Sequence, residues 1–384
     1  MPILLGVCAV VVFVLAVLAA VAGWVSSTVA VHAALGVGAL PLIGSAMLHF
    51  VPVLSRSAGA SAWLARLPLL LQGAGVVALF FVAGQAGLGA LHGAVALAFG
   101  AVAGLAGWVV RRAWKTLGAP HPGWRWYFAA LLCLLAGLLA IAAAYSWPQH
   151  YTAFRSAHVR LNLFGFVGLT ALGTLHVLLP TVFGMPDPLT VQRLRQDLWP
   201  ALAGVWALAG ADFLPAESGR VLGEFGLALL AFCALRLAWA WWRAYGRRLG
   251  SDGVTLLLCT ALSGWLLALL SLGRELELGG GAPAVPLVFV VAFMLPLVSG
   301  ALSQLIPVWA HPGRMTPERQ ACRAQLVRAG PMRALLHLAA GFAAAGGASA
   351  WGLVLSALAL ALLLWLLGQG YRAGLLPGAK VFSV

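Results

Sequence analysis

Apolar residues in this chain fill unbroken runs about twenty residues long, with no helical or strand alternation inside them. The runs lie near 3–25, 29–54, 63–83, 87–110, 124–147 and 158–183. Six more follow near 199–215, 219–241, 253–273, 283–308, 334–348 and 350–371. A hydrocarbon core about 30 Å thick is crossed by ~20 apolar helical residues. Each run therefore predicts a transmembrane helix, and the chain an all-α integral membrane protein of about twelve spans. The seventh and eleventh runs are the short ones. The first run lacks a basic leader and a clear A-x-A cleavage site, which predicts a retained helix and not a signal peptide.

Composition sharpens this picture. Hydrophobic residues make up 62% of the 384, charged residues only 8%, and the mean hydropathy is +0.99. A soluble domain is about 45–50% apolar and roughly 25% charged, so the excess needs lipid as its solvent. With both termini placed in the cytoplasm, all but four of the 23 lysines and arginines fall in cytoplasmic loops. The exceptions are Arg155, Arg160, Arg220 and Arg274. That asymmetry is the positive-inside signature of a bacterial inner-membrane protein. The net charge of +14 thus belongs to the membrane surface and implies no nucleic-acid partner. The five cysteines (Cys8, Cys133, Cys233, Cys259, Cys322) are scattered, with no C-x-x-C pair, and predict neither a disulfide framework nor a zinc site.

Three of the predicted helices end alike. Helix two carries GSAMLHFVPVL (Gly44 to Leu54), helix six GTLHVLLPTV (Gly173 to Val182) and helix ten GALSQLIPVW (Gly300 to Trp309). Each has small residues before an apolar stretch closed by Pro52, Pro180 or Pro307, and all three run outside to inside. Spaced four helices apart, they predict three pseudo-repeats of four within one membrane domain: 1–120, 121–250 and 251–384. The corresponding helices of such repeats often build the functional site.

Histidine is as frequent as all acids together, nine against nine. His121, His150 and His311 fall in predicted loops and read as solvated. Ionisable residues inside a membrane are functional candidates by default, and four histidines form a pattern there. His32 and His158 lie near the outer ends of helices two and six, His49 and His176 toward the inner ends. The two levels are about 25 Å apart at 1.5 Å per residue. His158 and His176 share a face. His32 and His49 are offset by about 100° unless the helix is kinked or bulged, for which Pro41 supplies a cause. Two facing histidines at one depth suit the axial positions of a haem iron or part of a copper site. Gly36, Gly44, Gly165, Gly168 and Gly173 would let a flat macrocycle approach the backbone. Asn162, one turn from His158, would bond a ring nitrogen or a ligand. His92 and His337 are weaker candidates.

The segment HVRLNLFGFVGLTALGTLHVLLPT, from His158 to Thr181, resembles segments of the proteins related to subunit I of haem–copper oxidases. VHAALGVGALPLIGSAMLHFVP in helix two is similar to the histidine-led, glycine-rich helix of the compact NnrS-type membrane proteins of that superfamily. The resemblance implies three arcs of four helices, with haem b, copper or both as cofactors. It also implies electron transfer, metal or haem handling, or a response to nitric oxide, served by a redox partner protein. The departures imply a protein that does not pump protons. Helix ten has Gln304 and no histidine, Asn162 stands four residues after His158 where the oxidases often have Tyr, and there is no His-His dipeptide. Asp212 and Glu224, both toward the outer side, read as the only acids near membrane depth. Two rival readings use the same residues. In a small-molecule or metal-ion permease the histidines would be substrate or proton sites. In a scaffold subunit they would hydrogen-bond between helices.

Overall fold

Apolar runs become helices wherever lipid leaves the backbone no other partner. In the computed structural model, which describes residues 2–116, 118–185, 187–278 and 285–376, twelve long helices follow the predicted order. They are α1 (Pro2–Val21), α2 (Ser27–Leu54), α3 (Leu64–Val82), α4 (Leu88–Trp114), α5 (Gly123–Ser146) and α6 (Pro148–Phe183). The others are α7 (Thr190–Gly210), α8 (Ala216–Gly250), α9 (Gly253–Glu277), α10 (Val285–Ala310), α11 (Gly330–Ala345) and α12 (Ser349–Arg372). Ten are long and apolar enough to cross a membrane. The others are α7, whose first turns hold Arg193, Arg195 and Asp197, and α11, which has 16 residues. The chain is a multi-pass helical membrane protein. Leu15, Phe80, Val221 and Leu270 face outward to lipid, and Trp24, Trp63, Trp114 and Trp147 sit exposed at helix ends, the interfacial place of Trp.

Two helices start nine or ten residues before their hydropathy runs. Helix α6 begins at Pro148, so His158 lies three turns inside it, and His150 belongs to its first turn and not to a loop. Helix α7 begins at Thr190, which brings Asp197 into the bundle. A short helix, Pro317–Val327, connects α10 to α11. The Thr316 side chain caps it by accepting from Arg319 N, and it buries Cys322 and Leu326.

Each long helix packs against the next in sequence, and α12 packs against α1, which closes the ring. Further contacts join helices that are not neighbours in sequence, among them α9 with α11, α1 with α10, α5 with α2, and α9 with α6.

Helices α2, α6 and α10 share a departure from α geometry. Each widens to a π-helix, at Ala33–Ala39, Leu161–Gly168 and Phe289–Met294, and each later contains its proline, Pro52, Pro180 or Pro307. In α2 and α10 the cause lies in the sequence. The wide turn ends at Leu40-Pro41 and Leu295-Pro296, and the leucine N–H reaches back five residues, to Leu35 O and Val290 O. A proline ring clashes with the carbonyl four residues back, and a wider turn before it relieves that clash. Helix α6 has Thr170 where the others have proline; Gly165 and Gly168 fall in its wide segment.

Beside the wide turns and beyond them, these three helices and Tyr127 of α5 line a central cavity of about 100 Å³. Its walls include Ile43 and Met47 of α2, Ala171 of α6, and Val298 and Leu302 of α10.

Candidate functional site

His32 and His158 make up the first of the two histidine levels. His158 lies within electrostatic reach of both His32 and Arg155. Each ring is oriented through Nδ1. His32 Nδ1 sits 2.9 Å from Thr28 O, one turn back, and His158 Nδ1 sits 2.8 Å from Gly137 O of α5. A carbonyl only accepts, so both Nδ1 atoms carry the proton and both Nε2 atoms keep a lone pair. This is the tautomer that ligates metals, oriented as metal-bound histidines usually are.

Asn162 lies against His158 as its one-turn spacing predicted. Its Nδ2 donates to His158 O at 2.6 Å and stands 3.2 Å from the ring Nδ1. Because Nδ1–H is already directed at Gly137 O, the amide serves the backbone and the ring's orientation, not the ring's lone pair. Nearby, buried Arg160 donates to Leu208 O at 2.8 Å and to Asp212 Oδ1 at 3.0 Å, tying α6 to the end of α7.

The inner pair has separate surroundings. The His49 ring packs edge-on against Phe50 and against Trp309 of α10, with centroids 5.2 and 5.8 Å away, beside the central cavity. His176 is turned toward α5 and α7. Its ring lies 5.7 Å from that of Trp126, Nδ1 donates to Leu172 O at 2.8 Å, and Nε2 lies 3.5 Å from Asp197 Oδ2.

The glycines expected to admit a macrocycle seat helices instead. A Cβ on Gly36 would meet Gly75 of α3, and one on Gly44 would meet Leu71 of the same helix. On Gly165 it would meet Cys133 and Val205, on Gly168 Trp265, and on Gly173 Trp126. Small residues let membrane helices approach closely, and that use accounts for all five positions.

Of the other histidines, His92 is exposed and His337 fully buried. His121 is not freely solvated: its Nδ1 accepts from Gly123 N at 3.2 Å, and burial lowers its pKa below the ordinary imidazole value. His311 Nε2 donates to Leu375 O.

Asp197 is the residue that sequence reading passed over. Its side chain is 1% exposed, and Arg236 Nε lies 3.0 Å from Oδ1 as an ion pair, not an aligned hydrogen bond. The signal was an acid at the rim of an apolar run, hidden because the run was begun at residue 199.

Among the described residues, no three His, Cys, Asp or Glu side chains converge as a metal-binding group. At the His32–His158 level the donors left for a metal are therefore the two Nε2 atoms. Comparison with family models, with curated proteins and with solved structures finds no match.

Proposed function

We propose that this is a haem- or copper-binding protein of the bacterial inner membrane, similar to haem–copper oxidase subunit I in its compact NnrS-type branch and without proton pumping. Its work would be electron transfer with a redox partner protein, metal or haem handling, or a response to nitric oxide. One observation carries the reading: His32 and His158, within electrostatic reach of each other, are both fixed through Nδ1 to backbone carbonyls with Nε2 left over. Haem b or copper held there would supply a one-electron couple. The chain's own contribution is to orient the rings through Thr28 O and Gly137 O and to place the Arg155 cation beside them.

The reading is tested on purified protein by a visible spectrum and a metal assay. Wild-type protein should give a Soret band or bound copper. His158→Ala should lose most of it, because one of the two residues that would hold the group is gone, whereas His49→Ala should keep it. A His158→Ala protein with its full cofactor complement would return His158 to a purely structural role.

The proposal includes three pseudo-repeats of four helices with both termini cytoplasmic. The wide turns of α2, α6 and α10, their prolines, and the matching contacts α1–α10, α5–α2 and α9–α6 favour it. Four helices per repeat return the chain to its starting side. Reporters fused near residues 120 and 250 and at the C-terminus should all report the cytoplasm, and a periplasmic signal from any of them sinks the arrangement.

The central cavity favours a second reading, a permease for a small apolar molecule. Its walls are almost wholly apolar, and an apolar cavity of roughly 150 Å³ takes up benzene. At about 100 Å³ it is too small for a macrocycle. Such a permease would carry no Soret band and no copper.

A further inference from the structure

Arg333 is the fourth residue of α11 and is fully buried. Its Nη1 donates to Ser299 Oγ at 2.8 Å and Ser303 Oγ at 3.2 Å, both on α10. Nη2 donates to Leu326 O at 2.5 Å, in the last turn of the connecting helix Pro317–Val327. The partial negative charge at that helix end favours a cation, which accounts for the outer side of the guanidinium. It does not account for the inner side, where Nε has no partner. No ion pair among the described residues includes Arg333.

One turn deeper on α11, His337 is also fully buried, and neither ring nitrogen has a partner. It lies within electrostatic reach of Arg333. Helix α12 runs antiparallel to α11, with Gly352 abutting Ala340 and Ala344. Ser356, one turn further along α12, therefore sits level with the turn of α11 that contains His337. Its hydroxyl is fully buried and again has no partner. Four buried polar atoms thus lack partners within about two turns of this helix pair: Arg333 Nε, both His337 nitrogens and Ser356 Oγ.

Buried polar groups in native proteins are nearly always satisfied, by ordered water or an ion where no protein group serves. Water would satisfy the hydroxyl and the imidazole. It would leave a buried cation without a counter-charge, which is strongly unfavourable. An anion answers both needs, accepting from Nε–H, from an imidazole N–H and from the Ser356 hydroxyl. The position has no surface exposure, so a phospholipid headgroup does not reach it. We propose that Arg333, His337 and Ser356 bind a small inorganic anion of the halide class at the buried junction of α10, α11 and α12.

The test uses the full chain in detergent, with chloride exchanged for gluconate at constant ionic strength. Chloride and bromide should raise Tm saturably, on the order of 5 °C at a hundredfold excess over Kd. Bromide-soaked crystals should give an anomalous peak between Arg333 and His337. Arg333→Met is the direct variant but risks misfolding, so Ser356→Ala carries the decision. It removes one atom from a tightly packed helix pair, and it should leave the fold intact while weakening the chloride response several-fold. Equal Tm in chloride and gluconate would overturn the proposal. So would a response unchanged in Ser356→Ala, or one produced by phosphatidylglycerol and not by chloride.

Discussion

Gly264→Ala should prevent α9 from seating on α10 and abolish the monodisperse folded protein. A Cβ at position 264 would stand 1.8 Å from Ala292 O and 2.2 Å from its carbonyl carbon. Both are backbone atoms, so no rotamer change relieves the clash. Ala292 lies in the wide turn Phe289–Met294, and the bare glycine lets the two backbones touch there. Moving α9 outward would open the aromatic cluster beside the contact, where Trp265 packs against Phe289 and Phe293 with centroids 6.1 and 5.1 Å away. Overpacking a core usually costs about 1–3 kcal/mol, and a rigid backbone clash inside an aromatic cluster belongs above that range. Size-exclusion profiles of detergent extracts provide the readout. Gly273→Ala on the same helix is the control, since its Cβ would meet only Leu227 at 3.5 Å, an ordinary contact. A normal elution profile for Gly264→Ala would mean that the close contact is not needed for assembly. Gly75→Ala, 2.2 Å from Gly36 O in the wide turn of α2, should behave like Gly264→Ala.

Those glycines mark the limit of what sequence reading could reach. Twelve helices were legible because lipid-facing helices are apolar along their whole length, and a run such as 350–371 coincides with α12 to within a residue. The wide turns were legible only in part. Pro41 indicated a bulge in α2, and one lies directly before it. Nothing comparable marked α6, which has no proline near its wide segment. The depth of each histidine could be anticipated because it follows from residue count along a helix. The surroundings of the inner pair could not, because the direction of a side chain depends on helix rotation, which hydropathy leaves undetermined. His49 consequently meets Trp309 while His176 meets Asp197. Glycine composition likewise records that something approaches closely without recording what. At Gly36 and Gly165 it is a neighbouring helix.

The second large effect is expected at Asp197, whose carboxylate joins three helices at once. It sits on α7, with Arg236 of α8 3.0 Å from Oδ1 and His176 of α6 3.5 Å from Oδ2. Its own carbonyl also accepts from Cys233 Sγ of α8. Removing the carboxylate as Asp197→Ala leaves a guanidinium and an imidazole facing a void in low dielectric. Breaking a buried pair by deleting one partner costs about 3–5 kcal/mol. The Arg236 side chain is 36% exposed and can turn toward headgroups, so the expected loss is about 3 kcal/mol, the lower end of that range. It should appear as a clear fall in Tm. Removing both charges as Asp197→Leu with Arg236→Met should recover most of the loss, because a well-packed apolar replacement of a buried ion pair is often neutral. Asp197→Asn then tells an electrostatic role from a steric one. If Asp197→Asn, which preserves shape and one acceptor, is as unstable as Asp197→Ala, the negative charge is what holds α6, α7 and α8 together. If Asp197→Asn is as stable as wild type, the negative charge contributes nothing to the bundle and the side chain acts there only through its shape.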